Sequence, residues 1–288
     1  MINTRILEQR LGWRTPAGSD GAEQPENRPL RHETGLQGRS RATPGRPRQR
    51  RADVEAAWAA LPMVAPSAVA LDPPRKRLSA LDRHSVAGGA LDELRTQMLR
   101  VVQGNGWRRI GITSPTRGCG RSFIATGLAA SVARLETLRV LLLDMDLAAP
   151  DLAHVLGVTA RGSISNNLLA ARPVEQWVQR IGDNLALALN DTAIDNGADL
   201  VQNPDLMLGL RALIDTLAPD LVIHDMPPLL NDGAATAFLP QLDAVLLVTD
   251  GTRTLASEVA ECERLLDGQA PLLGVILNKS DDINKRRR

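Results

Sequence analysis

Residues 108–122 read R-R-I-G-I-T-S-P-T-R-G-C-G-R-S, and the fold turns on how this stretch is read. A short apolar segment, Ile110 and Ile112, runs into a glycine-containing turn. Residues 123–134 then have helical spacing, with Ile124, Leu128 and Val132 on one side. Strand, glycine loop and helix in this order are the layout of a phosphate-binding loop. Gly118 and Gly120 carry no Cβ, so the backbone can curl and aim its N–H groups at an anion. The helix that begins near Arg121 adds the positive end of its dipole. Ser122 stands where a hydroxyl holds Mg²⁺. The usual pattern opens with Gly and places Lys before that Ser. Here Pro115 and Arg121 occupy those positions. Arg is a planar fork and Lys a compact point charge, so Arg121 neutralises phosphate without filling the same space. Nucleotide binding is therefore expected and fast hydrolysis is not. A glycine turn that serves only the fold is the competing reading.

The chain has 288 residues, enough for one large domain or two small ones, and its 43% apolar content allows a substantial core. Its net charge of +1 imposes no overall electrostatic bias. Two cysteines, Cys119 and Cys262, make no disulfide framework and suit a reducing cytosol. Cys119, inside the loop, reads either as a thiol activated by its neighbours or as a small loop residue. No stretch reaches the ~18 apolar residues of a membrane span, and residues 1–10 lack the apolar run of a secretory signal. The chain contains no Tyr.

Four segments are expected: a disordered basic tail (1–52), a short helix from Asp53 with a Pro-rich linker (53–84), a nucleotide-binding domain (85–282), and a second basic tail (283–288). Residues 85–103 have helical spacing through Leu91, Leu94, Met98 and Val102. After the loop helix, residues 139–144 (R-V-L-L-L-D) form a continuous apolar run, which suits a parallel strand covered on both faces. It ends in Asp144-Met145-Asp146, at the crevice where open α/β sheets bind ligands. Asp144 there can hold Mg²⁺ or take a proton, while the alternative has both carboxylates capping the next turn. Residues 163–169 read as a helix capped by Ser163, 173–181 as a helix with Trp177 facing inward, and 185–189 as a strand. Asn203-Pro204 starts another helix. Residues 221–225 (L-V-I-H-D) place Asp225 at a second strand end, with His224 on the opposite face as a structural residue. Further strands at 244–249 and 272–277 flank a helix at 254–267, and the last leads to Asn278-Lys279-Ser280-Asp281, polar side chains suited to a purine edge. This alternation gives an α/β fold, a parallel sheet with helices on both faces.

The glycine loop, L-L-L-D-M-D, L-V-I-H-D-M-P-P, V-L-L-V-T-D and G-V-I-L-N-K occur in that order. Together they resemble the MinD/ParA-like branch of P-loop NTPases. Within it the chain is most similar to the cytoplasmic domains of bacterial tyrosine kinases of the CpsD/CapB type. The phrases L-R-T-Q-M, T-S-P-T-R-G-C-G-R-S and D-M-D-L-A-A-P-D-L carry that likeness, which covers about residues 91–278. The resemblance implies binding of ATP with Mg²⁺ and control of exopolysaccharide or capsule assembly through a membrane-embedded polysaccharide co-polymerase. It places the domain in the cytoplasm, peripheral to the inner face of the membrane, with a homo-oligomer as a further partner. By motif position, Gly118, Cys119, Gly120, Arg121 and Ser122 would hold the phosphates. Asp144, Asp146 and Asp225 would be the catalytic carboxylates, with Ser122, Asp144 and Asp225 around the metal and Asn278 near the base.

The chain differs from the family pattern at several places. Arg121 replaces the loop Lys, and Ala148 and Ala149 stand where Arg residues usually follow D-x-D-L. The E-x-x-R-x-x-R oligomerisation pattern is reduced to Gly89, Asp92 and Arg95, and the C-terminal tyrosine cluster is absent. Self-phosphorylation on tyrosine is thereby excluded for this chain. The expectation is a nucleotide-dependent switch with weakened catalysis. The alternatives are a non-catalytic scaffold of the same assembly and a ParA/MinD-like positioning ATPase. The last is disfavoured because Thr116 holds the place of that branch's additional loop Lys. Nucleic acid is not an expected partner.

Overall fold

The computed structural model describes residues 47–66, 82–230 and 232–280. Most of the expected N-terminal tail (1–46), part of the linker (67–81) and the C-terminal tail lie outside the described residues. Seven strands make one sheet: β1 (Arg109–Thr113), β2 (Val140–Asp144), β3 (Gln179–Ile181), β4 (Leu185–Ala188), β5 (Leu221–Asp225), β6 (Ala244–Asp250) and β7 (Leu272–Asn278). Their order is β3-β4-β2-β5-β1-β6-β7, parallel throughout except for the antiparallel β3–β4 pair. The helices are α1 (Pro47–Ala60), α2 (Val86–Asn105), α3 (Arg121–Ala133), α4 (Leu152–Leu156), α5 (Ile164–Leu169), α6 (Gly197–Leu200), α7 (Pro204–Leu217), α8 (Gly233–Phe238) and α9 (Ala256–Leu266).

The strand runs are apolar throughout because both faces of the sheet are covered. Period-two alternation splits each strand between two cores. Leu141 and Leu143 of β2, Val222 of β5, and Val245 and Leu247 of β6 pack with α1, α7, α8 and α9. Val140 and Leu142, Ile110 and Ile112 of β1, Ile223, Leu246 and Val248 pack with α2, α3 and α4. Each fully buried Leu or Ile of this kind contributes about 1.5–3 kcal/mol. His224, in β5 between Ile223 and Asp225, is buried against Phe238, with ring centroids 5.3 Å apart. Burial pushes it down to about 4, so it stays neutral.

Two boundaries differ from the sequence reading. Helix α1 starts at Pro47, ahead of the expected Asp53, and Pro is well tolerated in a first turn. Its Arg50 and Arg51 therefore belong to a helix and not to a tail. The expected helix at 173–181 is a single 3₁₀ turn, Val174–Gln176, followed by strand β3. Long-range pairing overrides the local pattern here. Residues of β3 pair with β4, and on the outer side Arg180 N–H donates to Pro62 O (2.9 Å) while Val64 N–H donates to Arg180 O (2.8 Å). The segment after α1 thus covers part of what would be an open sheet edge. Trp177 is buried, as expected.

Helix α1 is fixed by Trp58, which is 3% exposed. Its indole Nε1–H donates to Leu217 O at 2.7 Å, satisfying a carbonyl at the end of α7. The Arg139 guanidinium lies 5.0 Å over the Trp58 ring and also pairs with Glu55 at 2.6 Å.

Candidate functional site

The carboxyl ends of β1, β2, β5, β6 and β7 converge on the glycine loop. Gly118 (φ +85°) and Gly120 (φ +94°) are both in the left-handed region, and a Cβ on Gly120 would come within 2.3 Å of Asn278 Nδ2. The loop's carbonyls are held from behind. Ser114 O and Pro115 O accept from the N–H groups of Leu229 (2.9 Å) and Leu230 (3.2 Å), just past β5. Thr116 O accepts from the Ser114 hydroxyl at 2.6 Å. Cys119 O accepts from Asn278 Nδ2 at 2.8 Å, and Gly118 O from Lys279 Nζ at 2.5 Å. Among the described residues, the N–H groups from Arg117 to Ser122 have no acceptor. Bonded carbonyls on one side and free N–H groups on the other, at the start of a helix of 13 residues, make an anion-binding concavity.

Asp144 and Asp225 are register partners on adjacent parallel strands. Both are buried, and none of their four carboxylate oxygens makes a hydrogen bond of ordinary geometry, although the Ser122 hydroxyl approaches Asp225 and the Leu152 and Asp146 N–H groups approach Asp144. Burial, then repulsion from Asp225 and Asp146, raises Asp144 well above the usual carboxylate range. Burial raises Asp225 to about 7, against the pull of the Arg121 guanidinium. Two adjacent buried carboxylates short of donors, next to the Ser122 hydroxyl at the head of α3, are a ligand set for a hard divalent cation. The residues present therefore fit Mg²⁺.

Arg121 does not point into solvent. Its guanidinium donates to Asp146 Oδ2 and Ser114 Oγ, both at 2.8 Å, while its Nε is buried without a partner. Asp146 also receives Arg117 (2.9 and 3.3 Å), which reaches Asp232 at 3.6 Å, and it accepts from Ala149 N–H at 3.2 Å. Asp146 thus caps the following turn, one of the two readings of the D-x-D. Cys119 contributes its backbone only. Its thiol is buried and faces Thr116 O (3.3 Å) and Thr254 Oγ1 (3.8 Å). Asn278, expected near a base, has its amide engaged: Nδ2 on Cys119 O and Oδ1 on Lys279 N–H (2.9 Å).

A cleft of about 780 Å³ opens over the loop, lined by Gly118, Gly120, Ser122, Arg117, Asp191 and Lys279 among others. A second hollow, of about 880 Å³, lies between α9 and the amino end of β7, away from the converging strand ends. Asp232 was not singled out in the sequence because only distant pairing brings it to the loop, and the contacts of Arg117 with Asp146 and of Lys279 with Gly118 could not be read from spacing. The N-K that follows β7 was the one visible signal.

No family model matches the chain. The tyrosine-protein kinase named EpsB of Ralstonia solanacearum is 31% identical over 196 residues, which is 67% of this chain and 26% of that protein. The solved BceF tyrosine kinase domain superposes with a TM-score of 0.60 at 26% identity, covering 78% of this chain and 96% of that domain. This chain is a divergent relative of the bacterial tyrosine kinases. It spans about a quarter of the length of the kinase it matches in sequence. The chromosome-partitioning ATPase Soj of Thermus thermophilus, 28% identical over 180 residues, covering 60% of this chain and 70% of that ATPase, ties the kinase-like domain to the ParA-like P-loop proteins. The sheet, parallel but for one edge pair and clad with helices on both sides, is the P-loop fold. No helix among the described residues is long and apolar enough to cross a membrane.

Proposed function

We propose that this domain binds ATP with Mg²⁺ on the glycine loop and works as a nucleotide-dependent switch with weakened phosphoryl transfer. The observation that supports it best is the pair Asp144 and Asp225. Two carboxylates that are register partners, buried and without a hydrogen bond of ordinary geometry, are costly in their charged form unless something compensates them. A divalent cation does so.

In this reading the free N–H groups from Arg117 to Ser122 take the phosphate oxygens. Asp144, Asp225 and the Ser122 hydroxyl hold Mg²⁺. Bound Mg²⁺ supplies charge neutralisation for the phosphates. Arg121 is the element that weakens turnover, because it already serves the buried carboxylate of Asp146. A phosphate that recruits Arg121 must displace Asp146, and an Asp146 freed in this way is a candidate base for an attacking hydroxyl. Positioning and electrostatics carry such a transfer, so a misplaced cation costs rate more than affinity.

The wider setting follows the kinase relatives. The domain regulates exopolysaccharide or capsule synthesis through a membrane-embedded co-polymerase, peripheral to the inner membrane face, and any tyrosine it phosphorylates lies outside these 288 residues. The family's oligomer contacts are weakened in it. Asp92 and Arg95, the remains of the oligomerisation pattern, are occupied within the chain: Asp92 accepts from Ser131 and Arg134, and Arg95 donates to Ser131 O at 3.1 Å.

The test is ATP turnover by the full chain beside Arg121→Lys. Tight Mg²⁺-dependent binding, slow turnover in the wild type and at least tenfold faster turnover in Arg121→Lys are expected. Binding with no turnover in either form favours the scaffold, for which the Arg121–Asp146 pair is the supporting observation.

A further inference from the structure

Lys279 has no role in the reading above, yet three observations mark it. It follows β7 directly and has φ +56°, a left-handed conformation that non-glycine residues seldom adopt and that gathers at functional sites. Its ammonium makes two charge-assisted contacts, to Gly118 O at 2.5 Å and to Asp250 Oδ2 at 3.0 Å. Its side chain is 45% exposed and lines the cleft over the loop.

The contacts form a chain across the ends of two strands. Asp250, the last residue of β6, is itself held, accepting from the Thr252 hydroxyl at 2.6 Å and the Thr252 N–H at 2.9 Å. Asp250 fixes the Lys279 ammonium, and the ammonium fixes the Gly118 carbonyl. Asn278, its neighbour, fixes the next carbonyl, that of Cys119. A peptide unit is planar, so pinning the Gly118 carbonyl also sets the direction of the Cys119 N–H across the same bond. Gly118 itself offers no resistance to turning: its φ is +85° and the space where a Cβ would sit is empty. The contacts that aim the Gly118–Cys119 peptide come from Lys279 and Asn278, outside the loop.

We propose that Lys279 is a positioning residue for nucleotide binding, an ammonium just past β7 that, braced by Asp250, holds the Gly118 carbonyl and so keeps the glycine loop's N–H groups directed at the phosphates. The proposal rests on the ATP reading for its ligand, but not for the clamp. The loop of this chain lacks its usual lysine and its arginine is drawn inward to Asp146. Order imposed from β7 does part of what a loop cation does elsewhere.

The test uses the full chain as wild type, Lys279→Met, which keeps the apolar stem, and Lys279→Arg, which keeps charge and donors. Backbone ¹⁵N order parameters of Gly118, Cys119 and Gly120 are measured without nucleotide, Mg²⁺-ATP affinity is measured by calorimetry, and the melting temperature is recorded. In the wild type the loop should be as rigid as ordered backbone, about 0.85, and in Lys279→Met it should fall toward 0.6. Affinity should weaken at least tenfold in Lys279→Met and recover to within about threefold in Lys279→Arg, with the melting temperature of both close to wild type. Unchanged order parameters in Lys279→Met overturn the clamp. Loss of order with unchanged ATP affinity overturns its role in binding. If the wild type binds no ATP, the nucleotide reading and the positioning role both fall, and the order parameters alone decide whether Lys279 holds the loop.

Discussion

Arg121 and Asp146 form an ion pair at 2.8 Å inside the fold, the arginine side chain 8% and the aspartate 3% exposed. The residue at the lysine position of the phosphate loop is thus bound to a carboxylate of its own chain. Removing Asp146 alone takes the paired carboxylate from a buried guanidinium and leaves it Ser114 and the neighbouring Asp225, so Asp146→Ala should lower stability by about 3 kcal/mol. Arg121→Met/Asp146→Leu together should cost clearly less, because neither charge remains. Urea unfolding of the three proteins checks this. A loss below about 1 kcal/mol in Asp146→Ala would put the pair in the class of surface ion pairs.

The paired carboxylates predict an unusual pH response. Asp225 is raised from 3.8 to about 7, so its folded form holds a proton that the unfolded form releases. Its stabilising contribution is complete below about pH 4 and is lost as pH rises through about 7; linkage puts the loss at no more than about 4 kcal/mol. Burial and its two acidic neighbours push Asp144 the same way. Without Mg²⁺, Asp225→Asn should therefore be more stable than the wild type at pH 8, and the difference should shrink toward pH 5. Millimolar Mg²⁺ should stabilise the wild type at pH 8 and leave Asp225→Asn nearly unmoved. Melting temperatures across pH 5–8 provide the comparison. His224, lowered from 6.5 to about 4, works in the opposite sense: its contribution is complete above about pH 6.5 and is lost as pH falls through about 4. It is common to both proteins and cancels in their difference.

Trp58 is the anchor of α1. Trp58→Ala removes a buried indole, its bond to Leu217 O and the ring under Arg139, so it should cost about 3–5 kcal/mol. Its partners Leu217 and Arg139 lie at the end of α7 and just before β2, whereas the glycine loop is at the carboxyl ends of the strands. Mg²⁺-ATP affinity should therefore stay within about threefold of wild type once folded protein is selected. A large loss of affinity would show that α1 communicates with the loop.

The fold was legible wherever burial is two-sided. The runs at β2, β5 and β6 are apolar because both faces are covered, and that pattern needs no partner to be seen. Strand β3 was hidden because Gln179, Arg180 and Ile181 gain their strand geometry from β4 and from residues 62–64, and the nine-residue window 173–181 fits a helix equally well. The site was legible as motifs and obscure as contacts. Gly118, Gly120, Ser122, Asp144 and Asp225 are gathered as their spacing suggested. The direction of Arg121 toward Asp146, the contact of the Cys119 thiol with Thr254 and the hold of Lys279 on Gly118 link residues 25 to 161 positions apart, and spacing along the chain carries no trace of them.

The measurement that bears most directly on the account is calorimetric titration of the full chain with ATP, with and without Mg²⁺, beside Asp144→Asn and Asp225→Asn. Binding in the micromolar range with Mg²⁺, at least tenfold weaker binding without it, and loss of that Mg²⁺ dependence in both variants are expected. ATP binding indifferent to Mg²⁺, or none at millimolar ATP with Mg²⁺ present, would contradict the Mg²⁺-ATP reading.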